Sequence, residues 1–268
     1  MADLNPVSQW RRLMAAPNDS RGKTIAVAIL LALACALMVS AATVILRPVQ
    51  MANRAAEQEA RLEALVSAIP GMEAMLASAE GGRLSTVVID LERGRAAPDL
   101  GPETVNAALN EAGNWTSLTP AQDIAGIGTR PDYAQIFLLR EGESGPVSLV
   151  ILPVVGSGYN GAIEAMLALR GDMRTIAGLA ITDQSETPGL GARIEESAWQ
   201  AQFTGRRTAD EAGNMRFAVA RGPAASDYEV DGITGATRTN NAVTQMVRFW
   251  LGPDGYGPLL DAIRRGEF

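Results

Sequence analysis

The longest run of apolar positions in the chain spans residues 24–46, "TIAVAILLALACALMVSAATVIL", and contains no charged residue. At a rise of about 1.5 Å per residue, a helix of this length crosses the roughly 30 Å hydrocarbon core of a bilayer. The small residues at 40–42 also fit a cleaved signal peptide, but the apolar part of a signal peptide is only about 7–15 residues long. The pattern therefore predicts an uncleaved transmembrane helix over 24–46.

Basic residues lie on both sides of this apolar run. Those before it are Arg11, Arg12, Arg21 and Lys23, and those after it are Arg47, Arg54 and Arg61. Because cytoplasmic flanks of transmembrane helices carry an excess of Lys and Arg, the small bias indicates a cytoplasmic tail over residues 1–23. The rest of the chain is then expected on the other side of the membrane.

The remaining pattern predicts one helix next to the membrane and then a mixed domain. An Ala/Glu/Arg-rich stretch places Leu62, Leu65 and Ile69 on one face, which indicates a juxtamembrane helix over 47–70. In residues 71–268, strands are predicted at "LSTVVIDL", "YAQIFLLR", "VSLVILPVV" and "TIAGLAIT", and helices at "ETVNAALNEAG", "NGAIEAMLALRG" and "NNAVTQMVRFWL". Because these elements do not alternate strictly, an α+β fold is favoured over a doubly wound sheet.

Composition narrows the possible chemistry. The chain has 268 residues, no histidine, one cysteine and a net charge of −7. The missing histidine excludes Ser-His and Cys-His catalysis and the common zinc sites, and Cys35 inside the apolar run excludes disulfides and thiolate-held clusters. The acidic balance argues against a nucleic-acid partner. We therefore predict no catalytic residue and no metal site, and we expect chemistry based on carboxylates, hydroxyls, backbone amides or an organic cofactor.

One glycine-rich segment, "VVGSGYNG", has the spacing of a dinucleotide-binding loop. Gly156, Gly158 and Gly161 follow a predicted strand and precede a predicted helix, and Asp183 lies about twenty residues further on. Against this interpretation, Pro153 interrupts the strand, and the chain after Asp183 is too short for further βα units. A nicotinamide-binding reductase is thus the less favoured alternative to a tight glycine turn that lines a pocket.

The segment "SETPGLGARI" at 185–194 follows another predicted strand. Its proline and two glycines keep the loop compact and let the backbone approach a flat ligand. Glu186 and Thr187 offer hydrogen-bonding groups beside Leu190, so a ring system with apolar faces and polar edges would suit this surface. An ordinary Pro-Gly turn before a helix is the alternative.

The segment "DGITGATRT" at 231–239 precedes the last long predicted helix. As a purely structural element, Asp231 begins a turn and Thr237 or Thr239 caps the helix. As a functional element, a hydroxyl at a helix N-terminus lies among unpaired amides, where phosphate is favoured. A phosphate ester at this hydroxyl would hold a charged cofactor covalently. The residues alone leave both interpretations open.

"DGITGATRT" resembles the flavinylation motif, Asp-x-x-Ser/Thr-Gly-Ala-Thr-x-Ser/Thr, of the covalent FMN-binding domain family. The resemblance implies that a flavin transferase esterifies the phosphate of FMN to Thr237. It also implies a recognition frame made of Asp231, Thr234, Gly235, Ala236 and Thr239. "SETPGLG" resembles the second signature of the family, which lies against the isoalloxazine ring and here comprises Glu186, Thr187, Pro188, Gly189, Leu190 and Gly191.

The resemblance extends to the N-terminal anchor, to "LPVVGSGYNG" and "WQAQFTGR", and to the tail "FWLGPDGYGPLLDAIRRGEF". Within the covalent FMN-binding domain family, the chain is most similar to the C subunits of the sodium-translocating NADH:quinone oxidoreductases. The G subunits of the Rnf electron-transport complexes are the nearest alternative, and they usually lack the tail. The chain departs from the family at Gln184-Ser185, where a histidine is usual, and at Tyr159-Asn160, where a Leu-Trp pair is frequent.

The resemblance implies an electron-carrier subunit with covalent FMN in a membrane complex that oxidises NADH, reduces quinone and exports sodium. Its expected partners are the other membrane subunits, including an iron–sulfur-bearing pair and a second FMN-bearing subunit, together with the flavin transferase. The expected location is the bacterial inner membrane, with a single span, a cytoplasmic N-terminus and an extracytoplasmic, periplasmic FMN-binding domain over 71–268. A membrane-anchored interaction module whose motif is never modified is the alternative from a different class.

Overall fold

The computed structural model describes residue 15 and residues 21–40, 83–140 and 145–268. The chain forms two compact units, Met1–Glu63 and Ala64–Phe268. In the first unit, helix α1 (Arg21–Ser40) is long and apolar enough to cross a membrane, and its large apolar side chains are exposed. The end of the predicted span at 41–46 and the predicted juxtamembrane helix at 47–70 lie outside the described residues.

The second unit is a mixed α/β domain. Its strands are β1 (Arg83–Asp90), β2 (Arg95–Ala96), β3 (Trp115–Ser117), β4 (Thr129–Pro131), β5 (Tyr133–Arg140), β6 (Val147–Ser157), β7 (Ala162–Arg170), β8 (Ile176–Gln184), β9 (Ala218–Val219) and β10 (Glu229–Val230). Its helices are α2 (Val105–Leu109), α3 (Ser197–Gln200), α4 (Thr237–Leu251) and α5 (Gly257–Arg264). Single 3-10 turns cover Ala112–Asn114, Gly191–Glu195 and Ala201–Phe203.

One antiparallel sheet organises the domain, with strands in the order β2-β1-β5-β6-β7-β8. The four predicted strands are confirmed as β1, β5, β6 and β8, and the predicted α+β fold class is confirmed. The interior of the sheet is apolar because β5 to β8 carry buried Ile, Leu, Val and Ala at most central positions. The shorter pairs β3–β4 and β9–β10 lie outside this sheet.

The prediction of a helix over "NGAIEAMLALRG" is wrong, because this segment forms β7 inside the sheet. Ala, Glu, Met and Leu all favour helices, and this local preference led to the error. In the structure, β7 pairs along its length with both β6 and β8, and most of its side chains are buried. Two long strand pairings therefore override the intrinsic preference of the segment.

The glycine-rich turn joins β6 and β7 as an antiparallel hairpin, so the helix that a dinucleotide-binding loop requires is not present there.

The interruption predicted at Pro153 is also wrong, since β6 continues to Ser157. Pairing of β6 with β5 ends at Ile151, so the missing amide of Pro153 costs no bond to β5. Across from Pro153 lies Met166 of β7. A proline is tolerated in a strand where its amide is not needed.

Helix α4 packs against β6. Helix α4 buries Val243, Met246, Val247 and Trp250, which confirms the predicted apolar face. The indole of Trp250 donates to the carbonyl of Val155 at 2.7 Å. Gly156 allows this close packing, because a Cβ there would lie 2.8 Å from Cβ of Met246. This packing fixes where α4 begins relative to the glycine turn.

Tyr256 anchors the segment between α4 and α5. Its side chain is fully buried, its ring centre lies 5.1 Å from that of Trp250, and its hydroxyl donates to the carbonyl of Pro153 at 2.8 Å. Burial raises the pKa of the phenol, so Tyr256 remains a neutral donor.

We expect Tyr256→Phe to lower the free energy of unfolding by about 1–3 kcal/mol, because it leaves the buried carbonyl of Pro153 without a donor. Tyr133→Phe is the matched control, since among the described residues its hydroxyl makes no hydrogen bond. Denaturant unfolding of the detergent-solubilised chain measures both variants. Equal stability of the two variants would contradict the anchoring role of Tyr256.

Candidate functional site

A buried carboxylate, Glu186, joins the three segments that form the site. Only 5% of Glu186 is exposed. Its Oε1 accepts hydrogen bonds from the backbone amides of Tyr159 at 2.6 Å and Asn160 at 3.0 Å, both in the β6–β7 turn. Its Oε2 accepts a hydrogen bond from the hydroxyl of Thr239 in the first turn of α4. The loop after β8, the β6–β7 turn and the start of α4 are thus tied together at one side chain.

Two glycines leave room for this carboxylate. A Cβ on Gly158 would collide with Oε1 of Glu186, and a Cβ on Gly191 would lie 2.6 Å from both Oε2 of Glu186 and Oγ1 of Thr239. Thr187 adds a further link between loop and turn, since its hydroxyl accepts from the side-chain amide of Asn160 at 3.0 Å. Glu186 and Gly191 are therefore buried, and Glu186 holds the loop, the turn and the helix start in position.

The start of α4 leaves one threonine hydroxyl free. Ala236 occupies the N-cap position without a side-chain capping bond, so the interpretation of Thr237 or Thr239 as a helix cap is wrong. The first intrahelical bond runs from the amide of Asn240 to the carbonyl of Ala236 at 2.9 Å. The amides of residues 237–239 precede it and have no carbonyl partner inside the helix. Thr237 itself is exposed, and within the described residues its hydroxyl has no hydrogen-bond partner.

The loop that leads into α4 is fixed from two sides. Asn240 accepts from the amide of Ile233 and donates to its carbonyl, each at 3.1 Å. The indole of Trp199 donates to the carbonyl of Asp231 at 2.9 Å, and the carboxylate of Asp231 accepts from the amide of Ala224 at 2.7 Å. Asp231 therefore shapes the loop, with its carboxylate facing the neighbouring 222–225 segment. Sequence reasoning missed both Asn240 and Trp199, because their partners are set by the fold.

Exposed apolar side chains flank Thr237. Leu190 is 45% exposed and lies beside Gly235, where a Cβ would come within 3.2 Å of Leu190 Cδ2. Gly235 has a φ of 82°, a left-handed conformation that glycine adopts without strain. On the turn tied to α4, Tyr159 is 56% exposed, and the guanidinium of Arg238 lies 4.9 Å from its ring centre. The residues close to Thr237 in the chain, Gly235 and Arg238, thus lie beside an aliphatic side chain and an aromatic ring.

A third apolar side chain, Ile124, belongs to a loop that sequence reasoning did not include. Ile124 is 43% exposed, and the adjacent carbonyl of Ala125 accepts from the amide of Ser157 at 2.8 Å. This bond fixes the 123–128 loop at the end of β6, next to the glycine turn. In residues 83–140 and 145–268, the exposed large apolar side chains are Leu190, Tyr159, Ile124 and Trp115, and the first two lie on the segments that Glu186 ties to the start of α4.

The site has the donor set that a flavin phosphate needs. Free amides at a helix N-terminus and the adjacent guanidinium of Arg238 suit a phosphate group. Exposed Leu190 and Tyr159 suit the faces of a flat, largely apolar ring. The residues present therefore fit FMN. Among the described residues, no group of three or more acidic, histidine or cysteine side chains is arranged to hold a metal ion.

We expect Glu186→Ala to lower the free energy of unfolding by about 3 kcal/mol, because it removes a buried charged acceptor from three donors. Glu186→Gln keeps one carbonyl oxygen for the two turn amides, so its loss should be smaller. Glu164→Gln, on an exposed position of β7, is the matched control and should change stability by less than about 0.5 kcal/mol. Denaturant unfolding distinguishes them, and an Ala variant as stable as the Glu164 control would refute the central role of Glu186.

Comparison with known proteins places these features in a family. A family model described as an FMN-binding domain matches residues 158–252, which include the glycine turn, the 185–194 loop and all of α4. A crystal structure of Shewanella oneidensis NqrC is similar in fold, with a TM-score of 0.62 and 24% identity, over 72% of this chain and 88% of that chain.

Two relatives are similar over nearly their full lengths, and each is the C subunit of a Na(+)-translocating NADH-quinone reductase. The relative from Yersinia pestis is 37% identical over 93% of this chain and 95% of its own length. The relative from Vibrio alginolyticus is 34% identical over 95% of this chain and 99% of its own length. With its FMN-binding domain and apolar N-terminal helix, the chain belongs to the family of Na(+)-translocating NADH-quinone reductase C subunits.

Proposed function

We propose that this chain carries FMN esterified to Thr237 and relays electrons in a membrane complex that oxidises NADH, reduces quinone and exports sodium. Family membership supports the role in the complex, since the relatives are subunits of a sodium-translocating NADH-quinone reductase. The observation that carries the covalent attachment is the free hydroxyl of Thr237 in the first turn of α4.

The environment of the three motif threonines favours Thr237 as the attachment point. Thr239 is buried, and its hydroxyl is bonded to Glu186. Thr234 is exposed, but it lies two residues before the N-cap and so outside the helix. Thr237 alone combines exposure, a free hydroxyl and a position among the amides of residues 237–239. It is therefore open to a modifying enzyme and suited to a bound phosphate.

The chain's own residues account for attachment and orientation. In the covalent product Oγ1 of Thr237 would be bonded to the phosphorus of FMN. The hydroxyl would lose its proton, and the bond from that phosphorus to the leaving group of an activated flavin nucleotide, brought by the flavin transferase, would break. The helix amides and Arg238 stabilise the remaining negative charge of the phosphodiester. Leu190 and Tyr159 pack on the ring, while Glu186 keeps their two loops in register with α4. When bound, FMN supplies the redox chemistry, and the protein supplies binding and orientation.

A gel experiment tests this assignment. The chain is produced together with a flavin transferase, denatured and separated on a gel under ultraviolet light, beside Thr237→Ala and the matched control Thr234→Ala. Covalent flavin fluorescence should be present in the parent chain and lost in Thr237→Ala, because only that variant lacks the attachment oxygen. In Thr234→Ala, a motif-recognition residue has changed, so we expect weaker labelling that is not abolished.

Peptide mapping by mass spectrometry completes that test. In the parent, the peptide that contains Thr237 should gain the mass of FMN less one water. A colourless parent chain would indicate the unmodified interaction module instead, and label on another residue would contradict the assignment to Thr237.

We further propose that the chain is a single-pass protein of the bacterial inner membrane, with a cytoplasmic tail and a periplasmic FMN-binding domain. The exposed apolar helix α1 and the membrane complex named for the relatives support an anchored protein. The distribution of basic residues around 24–46 supports the orientation. Its electron-transfer partners would be the iron–sulfur-bearing subunits and the second FMN-bearing subunit of the complex.

Thiol labelling of intact cells tests the orientation. In a Cys35→Ser background, Ala212→Cys places a thiol on an exposed loop of the domain, and Ser8→Cys places one in the N-terminal tail. A membrane-impermeant maleimide that enters the periplasm should label position 212 before lysis and position 8 only after lysis. The opposite order of labelling would reverse the proposed topology.

A further inference from the structure

A second cleft of about 810 Å³ shares no residue with the Thr237 site and has a basic rim. It lies between the β1–β2 turn, the β7–β8 turn, the 208–215 loop and α5. Its five arginines come from three of these segments and are Arg93, Arg95, Arg174, Arg264 and Arg265. Since only two lining residues are acidic, Asp261 and Glu267, the rim carries a net positive charge in a chain whose overall charge is −7.

Three of the arginines are already paired, and two are not. The ion pairs are Arg93–Asp90 at 2.9 Å, Arg265–Glu267 at 2.7 Å, and Arg264–Asp261. Both lining carboxylates are thus committed to neighbours on their own segment. In the part of the chain that the structure describes, Arg95 and Arg174 form no ion pair. Arg95 lies close enough to Glu267 to help lower the pKa of that carboxyl, but Glu267 is already paired with Arg265. The cleft therefore holds two guanidinium groups that, within the described residues, have no ion pair of their own.

Arg174 is held in place although its side chain lacks an acceptor. Its backbone amide donates to the carboxylate of Asp172 at 3.0 Å, and its carbonyl accepts from the amide and hydroxyl of Thr208 at 2.8 and 3.0 Å. Its Nε is buried without a hydrogen-bond partner. The residue as a whole is only half-buried, and its guanidinium forms no ion pair among the described residues, so it is available to an anion.

Apolar residues also line the cleft. Met215, Pro253 and Pro258 are partly or fully exposed there, whereas Met173, Leu251 and Leu260 are buried. Arginine and methionine are enriched at protein–protein interfaces, where a charged rim surrounds an apolar centre. Asp261 and Glu267 in the wall place negative charge beside the arginines. A dense anionic surface, such as a layer of lipid headgroups, would be repelled by these two carboxylates. A peptide segment with separate acidic groups can instead place each of its carboxylates next to an arginine.

We propose that this cleft binds an acidic segment of another subunit of the complex, with carboxylates at Arg95 and Arg174 and an apolar side chain beside Met215. The inference rests on the proposed function, because it requires that this chain assemble with other subunits. It adds a docking surface that is separate from the flavin site.

The experiment uses the assembled complex, purified through a tag on another subunit and washed with increasing sodium chloride. We compare the parent chain with Arg95→Glu, with the Arg95→Glu/Arg174→Glu double variant, and with Arg221→Glu as the matched control, an exposed arginine outside the cleft. Charge reversal at a complementary interface should reduce retention of the double variant about tenfold at a salt concentration that leaves the control bound. Arg95→Glu alone should show an intermediate loss of retention. Because Arg95 is exposed, this variant should fold even if the double variant does not, so its loss tests the proposal by itself.

A photo-crosslinking residue in place of Met215 identifies what occupies the cleft. Cross-linking to an acidic segment of another subunit supports the proposal. Cross-linking to lipid alone, or retention of the double variant equal to that of Arg221→Glu, overturns it. Covalent flavin fluorescence of all variants should match the parent. If the flavin-bearing parent chain itself does not co-purify with the complex, the proposed function fails and the inference fails with it.

Discussion

The buried carboxylate of Glu186 is the interaction on which the arrangement of the site depends. A carboxylate removed from water is costly unless hydrogen-bond donors compensate it. Here two backbone amides of the β6–β7 turn and the hydroxyl of Thr239 supply that compensation. Because the donors come from parts of the chain that are far apart in sequence, satisfying this one side chain forces a loop, a turn and a helix start into a single relative position.

That constraint explains why Thr237 is presented as it is. Helix α4 is fixed at its start through Thr239 and Asn240, and near its end Trp250 bonds to β6. A helix held at both ends cannot shift to bury its first residue. Thr237 is therefore left exposed beside unpaired amides, while Leu190 and Tyr159 stand on the two loops that Glu186 joins to it. A flavin carrier needs this combination, a fixed attachment atom with apolar surface close by.

The sequence predicted the fold best where local preference and tertiary position agree. Strands β1, β5, β6 and β8 contain β-branched or aromatic residues, and α4 has a clear apolar face, so all were predicted correctly. The segment of β7 has helix-favouring residues, and only its pairing with two neighbours makes it a strand. The predicted break at Pro153 failed for a related reason, since the cost of a proline depends on which side of the strand lacks a partner.

The site was predictable as a set of motifs but not as a geometry. The segments "SETPGLG" and "DGITGATRT" identified the residues that the structure brings together. Their patterns gave no sign that Glu186 is buried beneath the surface, because its partners at Tyr159, Asn160 and Thr239 are distant in sequence. Trp199 lies in "WQAQFTGR", which carries part of the family resemblance, but its bond to the carbonyl of Asp231 is set by the fold and could not be predicted from that segment.

A crystal structure of the flavin-loaded chain tests the attachment of FMN to Thr237 most directly. We expect continuous electron density from Oγ1 of Thr237 to the phosphorus of FMN, with the phosphate oxygens at the amides of residues 237–239 and the ring against Leu190 and Tyr159. Density for FMN on any other residue, or a ring that contacts neither of those side chains, would contradict it.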